Sequence, residues 1–282
     1  MLKIENVEVT GWEAAIRGMR NPMNSWELSD STLCKGGDGF EDCRVSITGE
    51  CPRLDGDFSN NVFCIGENDF SLMMRLRNAG TDHRKFMRMI TVYLDITAPL
   101  YWWKEFDTYK IGTVANSCST MHKIADKEFT LEDFSHEHLI DSFGETWDIA
   151  AGDECRSTPL DILYTVINAL NIYRKKYLET KDKSYWWQMI QLLPTSYNQR
   201  RTVMLNYEVL ANIYKSRLHH KLDEWRTFCD WVETLPYASL INTEIASSST
   251  SGTRSATGWS IPYASLINAE IASTPREENG RE

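Results

Sequence analysis

From Phe86 to Thr97 the chain alternates in steps of two, with Phe86, Arg88, Ile90, Val92, Leu94 and Ile96 on one side and Met87, Met89, Thr91, Tyr93, Asp95 and Thr97 on the other. Successive side chains of an extended chain point to opposite faces. The pattern therefore predicts a central strand, one face packed on helices and a mixed face open to a cavity or a partner. Pro99 then suits the first turn of a helix, PLYWWKEFDTYK, because the N–H it lacks would find no helical partner there. That helix is expected to end near Ile111-Gly112, and TVANSCST reads as a polar loop. The run from Met89 to Lys123 is thus laid out to deliver polar side chains to a fixed place.

The other segments arrange themselves around this one. KIENVEVT (3–10) reads as an opening strand and GWEAAIRGMRN as a short helix stopped by Pro22. Residues 28–67 turn to Gly, Asp, Ser, Asn and Cys and read as a surface insertion, with VSI (45–47) and NVFCI (61–65) as short strands. Asp69 is a candidate cap for a helix through FSLMMRLRNAG, with Gly80 at the left-handed position beyond its end. Residues 129–153 are acidic and irregular, and Thr158-Pro159 opens an amphipathic helix striped by Leu160, Leu163, Ile167, Leu170, Tyr173 and Tyr177. Further helices are predicted over 185–193, closed by Pro194, over 201–217 and over 222–235. The fold class is α/β or α+β, a central sheet with a helix-rich C-terminal half.

A chain of 282 residues, 42% of them hydrophobic, can bury a full core. A single domain over 1–240 is expected, followed by a flexible tail, 241–282, that carries a near copy of PYASLINTEIAS (236–247) as PYASLINAEIAS (262–273). No apolar run approaches the roughly 18 residues that span a bilayer, and MLKIENVEV lacks the regions of a signal peptide, so a cytoplasmic protein with no membrane partner is expected. The net charge of -10 argues against a nucleic-acid surface. Seven cysteines, an odd number without a C-x-x-C pair, predict reduced thiols; a metal clip from Cys34, Cys43, Cys51 and Cys64 stays open, and no metal ligand is assigned. Positive charge is concentrated between Arg200 and Arg226.

Two blocks carry a resemblance. In LPTSYNQRRTVMLNYEVLANIYKSR, Leu193-Pro194 is followed at spacings of six, six, six and five by Arg200, Asn206, Asn212 and Arg217, with Trp225 shortly after. Upstream, the strand and Ala98-Pro99 precede Lys104-Glu105-Phe106, Thr108-Tyr109-Lys110, Thr113, Asn116-Ser117, Ser119 and Met121-His122. This framework resembles the flavin-dependent thymidylate synthase family. There the corresponding positions carry Arg-Gln-Trp and then the signature R-H-R-x-x-S-x-N-E-x-S-x-R-Y, so the spacing is kept while most of the signature is replaced. The resemblance implies a homotetramer with FAD across subunit contacts, NADPH as reductant, and transfer of a one-carbon unit from methylenetetrahydrofolate to C5 of dUMP. It implies dUMP contacts at Arg200, Arg217, Ser119 and Lys110, cofactor contacts at His83, Tyr109, Asn116, Asn206 and Asn212, and polarisation of the uracil by Arg217. A divergent pyrimidine-modifying enzyme that does not make dTMP and a non-catalytic nucleotide-binding or oligomeric relative are the alternatives.

Read without the family, Asn206 and Arg217 on one helix from Arg201 fall within about 20° of each other, and Asn212 about 120° away from Asn206. A buried arginine needs an acceptor, which a phosphate, a pyrimidine edge, Glu208, Asp223 or Glu224 could each provide. The hydroxyl-rich run Thr113–Thr120 could bind a phosphate or be an ordinary loop. Tyr101, Trp102, Trp103 and Phe106 could wall a flavin ring or form core, and His219 and His220 could be a solvated helix end.

Overall fold

A computed structural model of the chain describes residues 2–34, 62–142, 147–148 and 156–242. The strands are β1 (Lys3–Thr10), β2 (Thr32–Cys34), β3 (Val62–Cys64), β4 (Thr91–Pro99), β5 (Val114–Ser117), β6 (Trp147–Asp148), β7 (Arg156–Ser157) and β8 (Asn198–Asn206). The helices are α1 (Trp12–Arg20), α2 (Glu67–Asn78), α3 (Leu100–Phe106), α4 (Thr120–Lys123), α5 (Pro159–Thr180), α6 (Lys183–Leu192), α7 (Tyr207–Arg217) and α8 (Asp223–Val232). In the order β1-β4-β8-β5 the strands make one antiparallel sheet; β2 pairs with β3 and β6 with β7.

β4 is the central strand that the alternation predicts. Val92, Leu94, Ile96 and Ala98, with Val203 and Leu205 of β8, are at most 1% exposed. On the other face Tyr93, Asn116 and Thr202 are exposed. An antiparallel sheet tolerates this division, one face in the core and one in water. The strand begins later than the alternation suggests, because Phe86 and Met87 are both buried, as neighbours in a 3-10 turn (Lys85–Arg88) can be and neighbours in a strand on one sheet face cannot. At the edge, β1 carries a bulge between Glu5 and Glu8, with Asn6 at φ 53.

Helices α1, α2, α3, α7 and α8 cover the apolar face. Trp102, Trp103 and Phe106 of α3 are at its centre, the Trp102 ring lying 4.7 Å from that of Trp225. The aromatic run is therefore core. A second cluster joins Leu163, Ile167 and Leu170 of α5 to Phe129, Phe134 and Met189. Thr158 caps α5 with a reciprocal Asp161 bond, at the helix start that Thr158-Pro159 predicts.

Three local expectations change. Asp69 is not the cap of α2, whose N-cap is Gly66; Asp30 accepts from the first-turn N–H groups of Asn68 and Asp69, and Asp69 is buried against Arg20 at 2.6 Å. Burial raises the Asp69 pKa, but the Ser31 and Ser29 hydroxyls and the Arg20 guanidinium outweigh it and hold the carboxyl below its usual range. The helix drawn from 201 to 217 is a strand to Asn206 and a helix from Tyr207. Val203 and Leu205 alternate into the core, and the Asn206 side chain caps α7 by accepting from Val209 N–H at 3.0 Å. The loop read at 113–120 is β5 followed by the short helix α4.

NVFCI does contain a strand, β3, whereas VSI, Cys43, Cys51 and residues 243–282 lie outside the described residues. Gly80 has φ 110, the left-handed conformation expected after α2. No helix among the described residues is long and apolar enough to cross a membrane.

Candidate functional site

Between α3 and β5 the chain turns through residues 107–113, and beside this turn is a cleft of about 320 Å³ lined by Phe106, Asp107, Tyr109, Lys110, Thr113 and Ala115. Gly112 allows the turn. Its φ is 79, and a Cβ there would meet Asn206 Nδ2 at 2.8 Å and Val209 Cγ2 at 3.2 Å. The Thr113 hydroxyl is buried without a hydrogen-bond partner, and Lys110 is exposed and forms no ion pair among the described residues.

Tyr109 links this turn to the end of α7. Its ring lines the cleft, and its hydroxyl oxygen accepts from Arg217 Nε at 2.9 Å. Arg217 Nη1 donates to Glu105 Oε2 at 2.6 Å, while the guanidinium lies 4.7 Å from the Trp225 ring and 5.7 Å from the Tyr109 ring. The same Glu105 oxygen accepts from Trp225 Nε1 at 2.9 Å and faces His220 Nε2 at 3.4 Å. The acceptor for Arg217 is therefore Glu105, not Glu208, Asp223 or Glu224. His220 belongs to this cluster, while His219 is solvent-exposed.

A second guanidinium, Arg201, stacks 4.2 Å from the buried Trp103 ring, donating to Gln199 Oε1 at 2.9 Å and to Asp107 at 2.7 Å. Arg201 and Arg217 thus each pair with a carboxylate from the end of α3 or the residue after it.

Arg200 points the other way. It alternates with Arg201 and Val203, so its side chain lies on the open sheet face, where Nη2 donates to Asp95 Oδ2 at 2.7 Å. Asp95 also accepts from Thr202 Oγ1 at 2.5 Å and Asn6 Nδ2 at 2.8 Å. Hydrogen bonds from Thr202, Arg200 and Asn6 hold this carboxyl far below the usual range. Asn116 pairs in register with Thr202 and shares that face.

One chain therefore distributes the candidate residues over three places. Lys110, Tyr109, Arg217 and Asn206 gather around the 107–113 turn. Arg200 and Asn116 lie on the open sheet face, and Ser119 follows β5 as the exposed cap of α4, accepting from His122 N–H at 3.1 Å. Asn212 accepts from Arg84 Nη2 at 3.5 Å beside the Arg84–Glu208 ion pair, and His83 is exposed in the turn before it.

Glu105 and Arg201 carry much of the site's chemistry without having been candidates. Glu105 sits 112 positions from Arg217, so no local spacing announces it. The strand alternation that places Arg201 beside Trp103 was masked by reading the segment as helix.

No protein-family model matches the sequence, and no curated protein matches it. Solved structures do. Thymidylate synthase X from Helicobacter pylori with FAD and dUMP aligns over 86% of this chain and 97% of its own, with a TM-score of 0.54 and 16% identity. A second structure of the flavin-dependent thymidylate synthase from that organism, complexed with FAD and dUMP, covers 84% and 98% with a TM-score of 0.52 and 17% identity. A UMP/dUMP methylase, PolB, from Streptomyces cacaoi bound with 5-Br dUMP scores 0.45 at 14% identity over 83% of this chain and 89% of its own. With the sheet, its helical cover and the near-complete coverage of the first two together, the fold of this chain is that of the flavin-dependent thymidylate synthases.

Proposed function

We propose that the chain binds dUMP or a related pyrimidine nucleotide at the 107–113 turn and acts on it as a thymidylate synthase-like one-carbon transferase at uracil C5. The observation that carries the reading is Arg217. Its plane is set by Trp225 and two of its nitrogens are tied to Tyr109 and Glu105. Its third nitrogen, Nη2, has no partner among the described residues. A guanidinium fixed in this way offers N–H donors in a set direction, which suits the carbonyl edge of a pyrimidine. Lys110, a mobile point charge on the same turn, suits the phosphate.

Methylenetetrahydrofolate, NADPH and FAD are the co-substrates and cofactor that the resemblance implies. The turn that would hold the flavin does not fit it well in one chain. Where the resemblance has two arginines and a histidine, Thr108 donates to Glu105 O and Tyr109 is bonded to Arg217, and of these three positions only Lys110 is a cation without an ion pair among the described residues. A flavin diphosphate needs more donors than that. This same poverty of donors favours a second reading, a nucleotide-binding relative without the flavin reaction.

Arg200 and Arg217 face opposite sides of the sheet, so both reach one nucleotide only if a second copy of the chain supplies one of them. A homo-oligomer is accordingly part of the proposal.

The test is dUMP titration by calorimetry with Arg217→Ala and, as control, Lys215→Ala on the exposed side of α7. Loss of a charged donor is expected to weaken binding by about tenfold or more in Arg217→Ala, and Lys215→Ala should bind as the unaltered chain does. Equal binding by all three proteins refutes the site. Flavin absorbance in the purified protein, with tritium release from C5-labelled dUMP, separates the transferase from the binding-only reading.

A further inference from the structure

The charge of the Arg217 cluster bears on what part of a nucleotide it takes. Glu105 Oε2 lies 2.6 Å from Arg217 Nη1, and the two formal charges cancel. The third neighbour adds no charge in its neutral form: His220 Nδ1 accepts from Leu222 N–H at 3.2 Å, which places the ring proton on Nε2, toward Glu105. Arg217 is thus an oriented donor inside a neutral cluster. A phosphate dianion gains little from it, because its attraction to the guanidinium is offset by repulsion from a carboxylate within hydrogen-bonding distance. A neutral carbonyl oxygen loses nothing by the presence of Glu105 and gains from the fixed direction of Nη2.

We infer that Glu105 is a specificity-determining residue, one that directs Arg217 to the neutral carbonyl edge of a pyrimidine and leaves recognition of the phosphate to Lys110. The inference rests on the nucleotide reading above. Glu105 does so by position and charge together. Its side chain is about one third exposed, and it is held from three sides, by Arg217, Trp225 and His220.

Glu105→Gln is the informative change, because the amide oxygen can still accept from Trp225 and Arg217 while the charge is lost. The quantity to follow is the ratio of the deoxyuridine to the dUMP dissociation constant, measured by calorimetry. With Glu105 in place, Lys110→Ala should bring this ratio close to one. In Glu105→Gln the uncompensated guanidinium becomes available to the phosphate, and the ratio should rise by roughly tenfold. Tyr109→Phe removes the other tether without changing charge, and should weaken both ligands alike with the ratio within about twofold of its starting value. An unchanged ratio in a folded Glu105→Gln protein overturns the inference, as does a ratio that rises equally in Tyr109→Phe. If the unaltered chain binds neither deoxyuridine nor dUMP, the nucleotide reading itself fails and this inference goes with it. If it binds dUMP but the ratio ignores Glu105, only the specificity role is lost.

Discussion

Two arginine–carboxylate pairs, made of the same two chemical groups, sit in different settings. Arg200 and Asp95 meet on the open face of the sheet, where the Arg200 side chain is 48% exposed. Arg217 and Glu105 meet between Trp225 and Tyr109, where the Arg217 side chain is 18% exposed. In the first, water reaches Arg200 and screens its charge, although Asp95 is itself 14% exposed and also held by Thr202 and Asn6. In the second, aromatic walls exclude much of that water and fix the guanidinium plane. An arginine at the expected spacing is therefore only a candidate; its surroundings decide whether it is an oriented donor or a solvated charge.

The contrast is broken most severely at the wall. Trp225 is fully buried and touches Trp102, Phe106 and Phe228 as well as Arg217. Trp225→Ala should cost about 3–5 kcal/mol of stability in urea denaturation. Trp225→Phe, which keeps an aromatic ring but loses the bond to Glu105, should cost less and still loosen Arg217. An equal loss in both would mean that the indole N–H bond to Glu105, rather than the packing of the ring, carries the stability.

A smaller effect is expected at the turn. Gly112→Ala places a side chain at φ 79 and against Asn206, which caps α7. It should destabilise by about 1–3 kcal/mol and weaken dUMP binding along with stability. Normal stability with normal binding would show that the turn has room to shift.

The smallest change belongs to the open face and is read by pH. The Thr202 hydroxyl, then Arg200 and Asn6, depress the folded pKa of Asp95, so its contribution is fully present above the ordinary carboxylate pKa of about 3.9 and is lost as the pH falls through the depressed folded value. Arg200→Ala and Thr202→Ala should each move the Asp95 titration, followed by carboxyl-carbon NMR, upward toward the ordinary range, with a small loss of stability at pH 7 that disappears as the pH falls below the depressed value. An unmoved titration would place the cause elsewhere.

Much of the scaffold was legible because it depends on near neighbours. The alternation through Ile90, Val92, Leu94 and Ile96 exposed the central strand, Thr158-Pro159 announced the start of α5, and Gly80 marked the end of α2. Where two local patterns overlapped, reading failed. In RRTVMLNYEVLANIYKSR the strand alternation of Val203 and Leu205 runs directly into the helical face of Leu210 and Ile213, and only the capping Asn206 divides them. The candidate site was less legible still. Arg217 was a candidate from its spacing, but its partner Glu105 and its platform Trp225 belong to other elements.

By itself the sequence determined the strands β1 and β4, most of the helices and the apolar faces they present, but not β5 and β8, since hydrophobic period, proline, glycine and capping act over a few residues. Only the tertiary structure decided that Arg200 and Arg217 lie on opposite sides of one sheet, that Arg201 stacks on Trp103, and that Glu105 neutralises Arg217. Those outcomes depend on strand register and on helices packed from distant parts of the chain, and the energy of a charge is set by what surrounds it in space rather than by what adjoins it along the backbone.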